Sequence, residues 1–328
     1  MQLTTPVHIN PLPVQLGYRQ HVLLMGSCFA TGMGERMRQL KLTVNVNPFG
    51  VLYNPLSLAA GLRMLMEEKP LTVDDLQYAN GLWFSFYHHG SFSHPDRDEA
   101  LARINAELAR SAGFLKKTDT LILTLGTAYV YEHKRSGMVV SNCHKLPAGD
   151  FERRMMSVDE VYGCLSQLLS GLTAYRKGLK ATITVSPIRH LKDGAHANQL
   201  SKATLLLAVD RLCRQFDSVA YFPAYEILLD ELRDYRFYAD DMLHPSEKAA
   251  DYIWQRFEEA AFAETDRKVM SEIDKVIAAY HHRPFNPDTE QHRTFLASFY
   301  QKVLDLQKRF PDMDLESELR YFSNSNSK

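Results

Sequence analysis

Two short stretches of this chain carry side chains suited to nucleophilic catalysis. The first is Gly26-Ser27-Cys28, which follows the apolar run at residues 22–25. That run is too short for a helix and suits a buried strand, and helical spacing begins at Ala30. Ser27 therefore falls on a tight strand-to-helix turn, near the positive end of the helix. Its own backbone N–H lies where it could help hold an oxyanion. A serine hydroxyl is a weak nucleophile until a neighbouring base takes its proton, and that base must itself be oriented. The second stretch, Asp241-Met242-Leu243-His244-Pro245, supplies both partners. In a turn, a carboxylate three residues before a histidine folds back onto one ring nitrogen, leaving the other to face Ser27. Pro245 stiffens the loop.

Each assignment has a rival. Cys28 is a second nucleophile candidate, because helix N-termini lower thiol pKa values. The adjacent position should point elsewhere, and free cysteines are usually buried filler, so Ser27 is preferred. Asp240 competes with Asp241, but the three-residue offset to His244 favours Asp241.

The elements that must position these residues alternate between strand and helix from about residue 22 to about 262. Short buried strands are expected at 22–25, 44–47, 120–125, 181–185 and 219–222, with TLILTL at 120–125 the clearest. Helices are expected at 30–40, from Pro55 with Asn54 as N-cap, and at 97–112, 158–175, 198–216 and 246–260. Residues 128–131 and 138–140 flank a polar turn and read as a hairpin. Such alternation implies a parallel sheet with helices on both faces, and ligands bind such sheets at the carboxyl ends of their strands. Residues 1–20 read as an extended arm, residues 266–328 as a helical extension packed on the domain formed by 1–265, and the final SNSNSK as frayed.

Composition narrows the chemistry. With 38 basic and 39 acidic residues among 328, the formal net charge is −1, so bulk electrostatics offers no case for nucleic acid or an anionic membrane. No transmembrane helix is expected. HVLLMGSC at 21–28 imitates a lipoprotein cleavage box, but lacks the basic start and the apolar core of about 7–15 residues that a signal peptide needs. Four cysteines without a CxxC pair fit reduced thiols in a cytoplasm, and no metal site, cofactor or phosphate loop is expected.

Gly26-Ser27-Cys28-Phe29-Ala30 matches the signature of the GSCFA-domain family, and the resemblance runs over nearly the whole chain. That family resembles a branch of the SGNH/GDSL esterase–lipase superfamily. The resemblance implies a three-layer α/β/α sandwich with a flavodoxin-like parallel sheet. It makes Ser27 the nucleophile, His244 the base, Asp241 its orienter and Gly50, in Asn47-Pro48-Phe49-Gly50, an oxyanion donor. The superfamily's third block is Gly-x-Asn. Here the matching strand end is Gly126-Thr127-Ala128, whose alanine cannot donate, so Thr127, Asn54 or Asn142 is left to replace it. Gly126, the segment Ser186-Pro187-Ile188-Arg189-His190 that ends a central strand, and His144 are further candidates for substrate contact, although His144 reads equally well as a core-edge histidine. The aromatic segment at 83–93 reads as a pocket rim or as core, and Lys192-Asp193 as a solvated loop.

The expected reaction is ester hydrolysis through an acyl-enzyme, on a small-molecule or glycan ester. Acyl transfer to a glycan, or a non-catalytic binding module on the same scaffold, is the alternative. The sequence leaves the oligomeric state open.

Overall fold

Five strands form the central sheet of the computed structural model, which describes residues 4–10 and 12–323. They are β1 (His21–Gly26), β2 (Thr43–Val46), β3 (Thr120–Leu125), β4 (Lys180–Val185) and β5 (Val219–Tyr221). All pair in parallel, in the spatial order β5-β4-β3-β1-β2. This is the doubly wound flavodoxin-like order, whose direction of winding reverses between β1 and β3. Every side chain of β3 is buried, as expected for a central strand covered on both faces.

The covering helices are α1 (Cys28–Gln39), α2 (Pro55–Glu67), α3 (Arg97–Leu115), α4 (Val158–Tyr175), α5 (Gly194–Gln215) and α6 (Glu247–Ala261). Apolar faces of α2 through α5 pack with Leu23, Leu121, Leu123 and Ile183 on one side of the sheet. On the other side α1 and α6 pack with Val22, Leu24 and Ile122. The approach of α1 is close: a Cβ on Gly34 would stand 2.4 Å from Val46 Cγ2. Glycine is needed there for the helix to lie on β2, and so to fix what its first turn presents.

A second small sheet joins Tyr129–His133 to Met138–Val140 and to Phe151–Met155. The hairpin was expected. The third strand, FERRM, was not, because its charges hide the pattern and pairing with Tyr129–His133 makes it a strand. Within the arm, Leu12, Val14 and Leu16 are buried, and Val7 is pinned between Glu231 Oε2 (2.9 Å) and Arg256 Nη2 (2.7 Å). Helices α7 (Glu264–His281), α8 (Glu290–Arg309) and α9 (Glu316–Ser323) form the C-terminal part around Ile273, Val303, Leu306 and Phe322. The expected frayed tail lies, beyond Ser323, outside the described residues. No helix among the described residues is long and apolar enough to cross a membrane.

Candidate active site

Helix α1 starts at Cys28, two residues before the position that the apolar spacing suggested. Ser27 is thus its N-cap, with extended backbone (φ −67°, ψ 175°), and Cys28 is the first helical residue. This shift exchanges the environments of the two side chains. Ser27 is 0% exposed, and its Oγ makes neither a capping bond nor any other hydrogen bond. Cys28 is partly exposed, and its Sγ lies 3.6 Å from His244 Nε2.

The strand-to-helix turn is held from three sides. Gly26 has φ +150°, and a Cβ there would stand 2.3 Å from Thr124 O, so the end of β1 can lie against β3 only as glycine. Asn47 Oδ1 accepts from Gly26 N (2.8 Å), while its Nδ2 donates to Thr31 Oγ1 in α1 (2.9 Å). Leu52 N donates to Gly26 O (2.9 Å). Tyr53 O accepts from Gly126 N and Thr127 N (2.8 and 3.0 Å), tying the same segment to the end of β3.

His244 enters on a loop before α6. Asp241 Oδ2 stands 2.6 Å from His244 Nδ1, and Asp241 Oδ1 accepts from the backbone N–H of Leu243 and of His244 (2.9 Å each). Met242 takes a left-handed conformation (φ 57°), which closes the turn so that one carboxylate reaches all three donors. Those donors, the backbone N–H of His244 first, hold Asp241 down at about 2. Because Nδ1–H donates to Asp241, Nε2 is left as an acceptor for the thiol of Cys28. Burial raises the thiol's pKa, while its own N–H, that of Phe29 and the Lys202 ammonium lower it. Burial is the largest of these, so the net direction favours the thiol over the thiolate.

The backbone oxyanion donors expected from the sequence are already engaged. Ser27 N donates to Thr124 O (3.2 Å), Gly50 N to Asn47 O (2.7 Å) and Thr127 N to Tyr53 O (3.0 Å). Gly50 packs against His89, and the Thr127 hydroxyl bonds Ser201 Oγ (3.0 Å). Asn54 differs from these. As N-cap of α2 its Oδ1 accepts from Ser57 N (2.9 Å), which fixes the amide orientation. Its Nδ2 finds no acceptor among the described residues, and Asn54 lines the same cavity as Cys28 and His244.

That cavity, of about 520 Å³, also takes in Thr127 and Asn142 from the expected set. Gly126, Ser186 and His144 are not part of its lining. Ser186 is 0% exposed. His144 is half-buried, stacks on Phe84 (4.1 Å) and bonds Ser85 O (3.0 Å), so it lies at the core edge. Phe84 and Phe86 from the aromatic segment are buried in that same cluster. Among the described residues no three His, Cys, Asp or Glu gather as metal ligands.

One residue at the site went unnoticed in the sequence. Lys202, on α5, is 1% exposed and donates to Gly126 O and Ser186 O (2.7 Å each), the carbonyls just past the ends of β3 and β4. Burial pushes it down to about 7. A lysine among Asn198, Leu205, Val209 and Leu212, at helical spacing on an otherwise buried face, was the available signal. His190 lines the cavity with its ring edge-on to Tyr53 (5.5 Å). Burial, followed by Lys202, His244 and Arg153, pushes it down to about 4.

The model of the GSCFA family matches residues 21–257, and that of the GSCFA domain protein, C-terminal domain, matches 273–327. No curated protein matches the chain. Among solved structures, a carbohydrate esterase family 3 from Talaromyces cellulolyticus is similar at 13% identity and TM-score 0.31, over 78% of this chain and 99% of that one. The acetyl xylan esterase Est2A from the rumen bacterium Butyrivibrio proteoclasticus is similar at 10% identity and TM-score 0.36, over 76% and 65%.

Proposed function

This chain belongs to the GSCFA family, and from that premise we propose that it is an acyl-transfer enzyme that opens esters with Cys28, His244 and Asp241. One observation carries the reading. His244 is clamped by Asp241 on Nδ1 and offers Nε2 to the Cys28 thiol at 3.6 Å, while the neighbouring serine hydroxyl is sealed away. The resemblance to GDSL hydrolases points the same way, since their signature letters put serine third and the third residue counted from Gly26 is Cys28.

His244 Nε2 takes the thiol proton as sulfur attacks the ester carbonyl carbon. The C–S bond forms, and the carbonyl electron pair moves onto oxygen. The N–H of Cys28, at the helix start, and the Asn54 amide are the donors nearest to hand for that oxyanion. Collapse breaks the C–O bond, and the imidazolium returns its proton to the leaving alcohol. A thioester remains on Cys28. His244 then deprotonates water, which releases the acid and restores the thiol. A second hydroxyl in place of water gives transfer rather than hydrolysis.

The test uses a chromogenic short-chain ester. Iodoacetamide at Cys28, mapped by peptide mass spectrometry, is expected to abolish turnover. A brief pulse of ester is expected to leave a hydroxylamine-sensitive acyl group on the Cys28 peptide. Turnover that survives complete alkylation of Cys28 would sink the proposal.

A further inference from the structure

Two cavities meet at Cys28 and His244, and their chemistry differs. The smaller, of about 210 Å³, is walled by Phe29, Met33, Ile188 and Trp254, with the Arg36–Asp251 ion pair (2.6 Å) in its lining. The larger, of about 520 Å³, has Arg153, Arg189 and Lys192 in its wall beside Tyr53, Tyr129 and Tyr131. No Asp or Glu is among its described lining residues.

The three cations arrive from two separate segments. Arg153 comes from the unexpected strand Phe151–Met155, and Arg189 and Lys192 from the segment after β4. Arg153 stacks at 3.8 Å on the Tyr129 ring and pairs with Asp193 at 2.5 Å. Arg189 has no carboxylate partner among the described residues. It donates to Met242 O (2.6 Å) and lies over the ring of Tyr238 (4.5 Å). Lys192 Nζ rests on the Tyr131 hydroxyl (2.9 Å). The Nε groups of both arginines are buried without an acceptor. One carboxylate, Asp193, is therefore set against three cations, and guanidinium donors remain unmet. A fork of donors held flat by aromatic stacking suits a carboxylate or a phosphate. His190, on the same wall, is pushed down by burial first, then by Lys202, His244 and, among these three cations, Arg153.

We propose that the larger cavity receives an anionic group, a carboxylate or a phosphate, carried by the alcohol or acceptor side of the ester, with Arg153, Arg189 and Lys192 as its counter-charges. The acyl group then occupies the smaller, apolar cavity. This rests on the reading of Cys28 as the nucleophile, and it turns a generic ester into one whose polar half is charged.

Alkylation of the intact protein reads this field directly, without an enzyme assay. Iodoacetate and iodoacetamide differ by one negative charge. Their rates at Cys28, mapped by mass spectrometry to separate it from Cys143 in the same cavity, are divided by the rates for mercaptoethanol at the same pH. The inference requires the normalised iodoacetate preference at Cys28 to be roughly tenfold or more, as for steering of an anion by a cleft of the opposite sign. It also requires that preference to fall several-fold in Arg189→Gln and in the more exposed Lys192→Gln, and with added salt. Glucose 6-phosphate or glucuronate should protect Cys28 from iodoacetamide where glucose does not, and the better protector identifies the anion. Normal iodoacetamide reactivity with no anion preference, or one that both variants retain, overturns the charged-substrate inference alone. No reaction of Cys28 with either reagent, while the other cysteines react in the native protein, overturns the nucleophile assignment and this inference with it.

Discussion

Exchanging the two adjacent side chains at the turn separates their roles. Cys28→Ala removes the thiol but leaves Asp241 on His244. If the three groups act as a unit, ester turnover falls on the order of 10⁴–10⁶-fold, the range seen when a nucleophile is deleted from such a unit. Cys28→Ser is no rescue. The shorter C–O bond draws the oxygen back from Nε2, which already stands 3.6 Å from the sulfur, past hydrogen-bond reach. Ser27→Ala has the opposite sign in stability. Its hydroxyl is fully buried with no partner, a state that costs about 1–3 kcal/mol. Removing it should leave the melting temperature unchanged or raise it by roughly 2–4 °C, at about 1.5 °C per kcal/mol for a chain this long. Activity should stay within about threefold, since the capping bond that serine usually makes is absent. Initial rates on a chromogenic ester, with calorimetry on the same samples, give both numbers. A Ser27→Ala protein that is inactive yet melts normally, beside an active Cys28→Ala protein, would refute the reasoning outright.

Substitutions at three further positions probe the supporting groups. Asp241→Asn keeps an acceptor for the backbone N–H groups but turns a donor toward His244 or loses its grip, so kcat should fall by up to about 10⁴-fold with KM little changed. In the wild type Asp241 stays ionised until the pH nears 2. Its folded-state value lies below the ordinary 3.8, so what it adds to stability is complete above that pH and lost below it; pH titration of melting, compared with Asp241→Asn, reads this. Asn54→Ala should lose about 1 kcal/mol with the α2 cap and, separately, about 100–1,000-fold in kcat with the amide donor. Asn54→Asp keeps the cap and not the donor, so only the kinetic loss should remain. Lys202→Met strands two strand-end carbonyls and should cost roughly 2–5 kcal/mol at neutral pH. Because burial lowers Lys202 from 10.5 to about 7, the unfolded chain holds more protons between those values. Wild-type stability should then rise relative to the variant across that window, as denaturant titrations at pH 6.5, 8 and 9.5 would record.

What the sequence could convey here follows from the range over which each signal acts. Apolar runs such as TLILTL are local and unambiguous, so the strands of the sheet were readable, as was the offset that lets Asp241 hold His244. FERRM was not readable, because partners more than a dozen residues away create that strand. The backbone bonds of the expected oxyanion donors were hidden for the same reason. Whether Ser27 N, Gly50 N or Thr127 N is free depends on Thr124 O, Asn47 O and Tyr53 O, and two of those three acceptors come from other strands or loops.

The proposed choice of Cys28 over Ser27 rests on where helix α1 begins, two residues before the expected Ala30. Apolar spacing begins at Ala30, but a helix start is not set by apolar spacing, since its first turn bonds outward and needs only a cap and free N–H groups. With the start at Cys28, Ser27 continues the extended backbone of β1, where successive side chains alternate between faces, and its hydroxyl is carried into the interior. Cys28 takes the first helical position, where the side chain meets the sheet edge and the helix N–H groups together. On the proposed reading, the nucleophile at such a junction is the side chain that stands where extended backbone becomes helical, and the serine one step earlier serves the fold.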